Sequence, residues 1–155
     1  MFTNSKNFIK IPFVLFLFLF GCFNVKYPEE YEKDLRKYMK KQFGITRLEG
    51  NYYFFLINDC EQCLGPVLNL RHLNEHSYKN LTLIIIGNST IREINQNIEK
   101  IHDKYPVLTD PGQNIFRHST GFSKSLLIKT RNNRIIFVKN INDTEIQKFD
   151  LYLQE

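Results

Sequence analysis

Three largely apolar runs constrain this chain more than any other feature: 52–57 (Tyr-Tyr-Phe-Phe-Leu-Ile), 81–86 (Leu-Thr-Leu-Ile-Ile-Ile, interrupted only by Thr82) and 126–128 (Leu-Leu-Ile). A strand with one wet face alternates apolar and polar residues. These runs do not, so they read as strands buried on both faces. Helical stretches separate them, over about 61–76, over about 90–104 with a capping box at Thr90-Ile-Arg-Glu93, and a short one over 111–117. That alternation predicts an α/β fold with parallel core strands. Residues 126–130 and 134–138 flank Asn132-Asn133, a two-residue turn tolerant of positive φ, and should pair as a C-terminal antiparallel hairpin. Asn142-Asp-Thr-Glu145 then caps a last helix to about residue 153.

Ahead of this alternation, 28–43 reads as an extra N-terminal helix. Tyr31, Leu35, Tyr38, Met39 and Phe43 keep its period, acids open it, lysines close it and Gly44 follows. The expected role is docking.

The start of the chain follows a different plan. Lys6 and Lys10 precede an uncharged run over 11–20 that would span roughly 15 Å as a helix, about half of a bilayer's hydrocarbon core. A signal peptide over 1–21 fits, and a membrane span does not. Leu19-Phe20-Gly21-Cys22 resembles the bacterial lipobox, which implies diacylglycerol on Cys22, a lipid-anchored tether over 22–27 and a folded domain over 28–155. The implied location is the bacterial cell envelope, anchored to a membrane through that lipid and facing the periplasm or exterior. Removal of 1–21 from the 155 residues leaves 134, suited to one domain. Of the 21 bases only Lys6 and Lys10 leave, against 16 acids throughout, so the charge falls from +5 to +3. Bases and acids are interleaved, which argues against a nucleic-acid partner.

Cys60-Glu61-Gln62-Cys63 directly follows the first buried run and opens the predicted helix after it. A thiol at a helix N-terminus meets unsatisfied N–H groups and the positive dipole end, which favour the attacking thiolate. One turn on, Cys63 is near enough to close a disulfide with it. Asp59 and Glu61 add negative charge beside that thiol, which disfavours the thiolate and favours a more reducing couple.

In the order strand, Cys-x-x-Cys helix, strand, helix, hairpin and closing helix, the chain resembles the thioredoxin superfamily, in particular its membrane-tethered redoxin-like branch. Val107-Leu-Thr-Asp110-Pro-Gly112, Ile115-Phe116 and Gly121-Phe122 are similar to the redoxin segment between the two halves. The resemblance implies a three-layer thioredoxin-like sandwich and a thiol-disulfide oxidoreductase acting on exported proteins or a dithiol relay, without a cofactor. Cys60 would attack and Cys63 resolve, with Asp59, Glu61, Gln62, Lys124 and Ser125 modulating. Where the family places a cis-proline, this chain has Ser123-Lys124-Ser125-Leu126. A non-proline cis bond costs about 2.5 to 4 kcal/mol, so that loop should be trans, or cis under strain.

Other readings of the cysteines stay open. Oxidation outside the cytosol would also give a structural Cys60–Cys63 disulfide in a non-catalytic lipoprotein that binds a partner, although so short a loop restrains little chain entropy. The two thiolates with His118 would suit copper(I) delivery. A zinc-finger reading with His72 and His76 fails on distance, since His72 would lie about 13.5 Å along the helix from Cys63. His72 and His76 have the i, i+4 spacing of a weak ligand pair but read as solvated helix surface, and no metal site is expected. The Thr that precedes a peroxidase cysteine by three residues is replaced by Ile57.

Overall fold

The aromatic run becomes the middle of the sheet. In the computed structural model, which describes residues 29–57, 64–142 and 144–154, strand β1 (Gly50–Leu56) pairs parallel with β2 (Leu81–Ile86) and antiparallel with β4 (Leu126–Arg131). With β3 (Val107–Asp110) and β5 (Arg134–Asn140) they form a five-stranded mixed sheet, ordered β3-β2-β1-β4-β5. The expected signal peptide, tether and Cys22, and the expected site residues Asp59, Cys60, Glu61, Gln62 and Cys63, lie outside the described residues.

Successive side chains of a strand point to opposite faces, and here both faces are covered. Tyr53, Phe55, Leu83, Ile85 and Leu127 enter a core closed by α2 (Leu64–Glu75), α3 (Arg92–His102) and α4 (Phe149–Gln154), which supply Leu70, Leu73, Ile94, Ile101 and Phe149. Tyr52, Phe54, Ile84, Ile86 and Ile128 enter a second core under α1 (Glu29–Phe43), which contributes Leu35, Tyr38 and Met39. Two-sided burial is what the largely apolar runs required. The chain is therefore α/β, with a sheet between helices on both faces.

The helix expected from residue 28 forms as α1 and stops where Gly44 takes φ 72°, its N–H returning to the Lys40 carbonyl at 3.0 Å. The hairpin turns at Asn132 and Asn133, at φ 50° and 60°, as the Asn pair predicted. The Asn133 side chain does more than tolerate the turn. Its Oδ1 accepts from Arg36 of α1 at 2.6 Å and from the Leu48 N–H at 2.9 Å, clamping the hairpin to the start of the domain.

Four local expectations need correction. The capping box at Thr90 does not form: α3 begins at Arg92, its N-cap Ile91 has no side-chain cap, and Ser89 Oγ takes the Ile91 N–H at 3.0 Å. The helix expected over 111–117 shrinks to a 3-10 turn at Asn114–Arg117, because Gln113 takes the left-handed φ of 51°. The segment before it contains β3, which was not expected as a strand and pairs parallel with β2 at the sheet edge. At the C-terminal end, Asn142 Oδ1 accepts the N–H groups of Thr144 and Glu145, as a cap should. The Glu145 carboxylate, however, bonds Tyr152, Lys139 and Lys148, and a 3-10 turn at Ile146–Lys148 precedes α4.

No helix among the described residues is long and apolar enough to cross a membrane.

Candidate functional site

β1, β2 and β3 all run toward one end of the sheet, and antiparallel β4 starts there. Crevices outside the carboxyl ends of parallel strands are where open α/β sheets usually hold their chemistry. That end is closely tied together. The Ile57 N–H donates to the Ile86 carbonyl at 2.9 Å, the Gly87 N–H to the Asp110 carbonyl at 3.0 Å, and the Leu56 N–H to Ser125 Oγ at 3.0 Å. Gly87, at φ 95°, lies so close to its neighbours that a Cβ there would sit 3.1 Å from the Ile57 carbonyl oxygen and 3.2 Å from the Gln113 amide nitrogen. The turn after β3 is thus packed against the exit of β1.

Two of the expected modulating residues are described. Lys124 is exposed, while Ser125 is half-buried with its hydroxyl accepting from β1 and its carbonyl accepting the Ile141 N–H at 2.8 Å. No peptide bond among the described residues is cis, so Lys124–Ser125 is trans. Ser125 therefore joins the start of β4 to the end of β1, and that use of its hydroxyl was not legible in the sequence.

A polar centre that no sequence motif announces lies at the same end. Asp110 closes β3 fully buried, and its carboxylate accepts from the Tyr38 hydroxyl at 2.9 Å, Asn114 Nδ2 at 2.9 Å and the Ile115 N–H at 3.0 Å. Three donors satisfy a charge that would be costly to bury alone. Burial, the Asp110 charge and the hydrogen bond to it push the Tyr38 hydroxyl far above the usual tyrosine range, so it stays protonated and donates. The His118 ring packs edge-on against Tyr38, with centroids 5.8 Å apart. Tyr38, Asn114, His118, Lys41, Gln42 and Arg117 line a cleft of about 130 Å³. This is well below the roughly 300–1,000 Å³ of small-molecule sites. Asp110 acts as an internal anchor for the turn over 111–117 and for α1.

His72 of α2 and His76, just past its end, are not solvated surface. His72 and His76 are half-buried and stacked, with ring centroids 4.2 Å apart. His72 Nε2 lies 2.9 Å from the Tyr78 hydroxyl, and His76 Nδ1 lies 2.9 Å from the His72 carbonyl oxygen. Burial, foremost, and the nearby Asp150 carboxylate of α4 push the Tyr78 hydroxyl far above its ordinary value. His72 shifts the other way, since burial and then the neighbouring His76 disfavour a positive charge on it. The i, i+4 spacing was visible in the sequence. The approach of Asp150 was not, because it depends on α4 folding back over the end of α2.

Comparison with protein-family models, with curated proteins and with solved structures returned no match, so fold and site stand on this chain's own residues.

Proposed function

We propose that this chain is a membrane-anchored thiol-disulfide oxidoreductase with a thioredoxin-like domain, held to the bacterial cell envelope by lipid on Cys22. The observation that supports this most is the frame around the cysteines. Central strand β1 ends at Leu56, at the carboxyl end of the parallel strands, and α2 starts at Leu64; in sequence, Cys60 and Cys63 fall between the two. Parallel β1 and β2, a terminal antiparallel hairpin and helices on both faces are compatible with a thioredoxin-like sandwich.

In the proposed reaction the Cys60 thiolate attacks one sulfur of a partner's disulfide. The partner's S–S bond breaks, a Cys60 mixed disulfide forms, and the other partner sulfur leaves as thiolate and takes a proton. The Cys63 thiolate then attacks the Cys60 sulfur and releases the second partner thiol. The partner gains two electrons and two protons, and Cys60 and Cys63 become a disulfide. The reverse sequence oxidises a partner. Acids at Asp59 and Glu61 favour the reducing direction. Outside the cytosol, reduced Cys60 and Cys63 must be regenerated by an envelope dithiol donor.

The test uses the full chain with Cys63→Ser, which removes the resolving thiol. It is expected to accumulate mixed disulfides through Cys60 with exported proteins, which dithiothreitol releases and Cys60→Ser abolishes. Absence of any such adduct would assign the two cysteines to a non-catalytic lipoprotein.

A further inference from the structure

We infer that His72, His76 and Asp150 form a binding site for one divalent transition cation of the zinc class, at the far end of α2 from the cysteines. His72 lies eight residues beyond Leu64, about 12 Å along the helix axis. The site is thus independent of the proposed dithiol chemistry.

The geometry has three parts. One potential ligand atom from each of the three residues lies within 4.8 Å of the other two, and all three residues are half-buried. Tetrahedral zinc with bonds of about 2.0–2.2 Å needs ligand atoms roughly 3.3–3.6 Å apart, which small side-chain rotations supply. Second, one histidine is already oriented. A carbonyl oxygen only accepts, so the His76 Nδ1 that meets the His72 carbonyl at 2.9 Å carries the proton. In the tautomer so selected, Nε2 offers the lone pair, the arrangement in which a backbone carbonyl steers a metal-ligating imidazole. Third, Asp150 acts on the same cluster: its charge reaches both His72 and Tyr78, whose hydroxyl contacts His72 Nε2 at 2.9 Å.

The supporting scaffold is fastened on both sides. The end of α2 is fastened by the Tyr105 hydroxyl, which donates to the His76 carbonyl at 2.8 Å. Tyr78 packs edge-on against Phe149 of α4, with centroids 5.3 Å apart, next to Asp150. Two imidazoles and one carboxylate suit zinc, cobalt, nickel or copper(II), whereas magnesium and calcium take all-oxygen shells. Three protein ligands leave a fourth position for water.

The test titrates the full chain in detergent micelles, with every thiol alkylated so that no thiolate competes, using zinc followed by calorimetry and cobalt followed by visible absorption. One equivalent is expected to bind with a Kd in the micromolar range or tighter. His72→Ala and His76→Ala should each weaken binding at least tenfold and Asp150→Asn severalfold, while His102→Ala leaves it unchanged. A measurement without substitutions covers variants that fail to fold: zinc should protect two histidines of the wild-type chain from diethyl pyrocarbonate. Failure of the alkylated wild type to bind either ion below millimolar concentration would overturn the inference. So would binding that His72→Ala and His76→Ala leave intact, or modification of His72 and His76 at the same rate with and without zinc.

Discussion

The Tyr38 hydroxyl of α1 donates to the buried Asp110 carboxylate at 2.9 Å, joining a helix that precedes the α/β alternation to the carboxyl end of edge strand β3. Because Asp110 is fully buried, losing a donor leaves a carboxylate oxygen short of a partner where water cannot replace it. Tyr38→Phe keeps the ring in its core and is expected to cost about 1–3 kcal/mol in urea unfolding. Asp110→Ala should cost at least as much and loosen the turn over 111–117. A Tyr38→Phe protein as stable as the wild type would remove this anchor from the account.

Ser125 offers a second test at the same sheet end. Its hydroxyl accepts the Leu56 N–H, so Ser125→Ala leaves a half-buried donor without its partner. A loss of about 1 kcal/mol is expected, with faster amide exchange at Leu56 as the local signature. Ser125→Thr keeps the acceptor and should recover most of the loss. Exchange at Leu56 that is unchanged in Ser125→Ala would contradict the assignment.

The far end of the domain carries a pH dependence of definite sign. The hydrogen bond from Tyr152, then those from Lys139 and Lys148, hold the Glu145 carboxyl at about 2, below its ordinary 4.5. A carboxyl whose folded value is depressed stabilises the fold above the ordinary value and loses that contribution as pH falls toward the folded one. Attachment of α4 is therefore expected to weaken as pH falls from about 4.5 to about 2. Glu145→Gln should remove that part of the acid sensitivity at the cost of lower stability at neutral pH. Circular dichroism of urea unfolding at several pH values checks both, and an acid profile identical in Glu145→Gln and wild type would refute the assignment.

The parts of the fold legible in the sequence were those in which one local rule had no rival. Residues 52–57 and 81–86 announced strands because burial on both faces leaves almost no polar positions, Thr82 being the exception, and Asn132-Asn133 announced the hairpin because few residues accept two successive left-handed conformations. β3 escaped notice because an edge strand of four residues, with Thr109 exposed, carries no period to read. The Thr90 capping box had a rival in Ser89, which took the Ile91 N–H at 3.0 Å. For the polar clusters the sequence showed single members only. His72 and His76 were visible as a helical pair and Asp110 as part of a turn, but Asp150 and Tyr38 reach them through tertiary packing.

The central claim is that Cys60 and Cys63 form a working redox couple, and an equilibrium titration of the full chain tests it most directly. The protein would be poised against graded ratios of reduced and oxidised glutathione, then dithiothreitol, and the fraction of Cys60–Cys63 disulfide read by alkylation and mass. The account predicts a reversible two-electron transition in the folded protein, more reducing than the roughly −120 mV of the strongest oxidant among periplasmic dithiol proteins. A disulfide that neither couple reduces without unfolding, or thiols that neither couple oxidises, would contradict it.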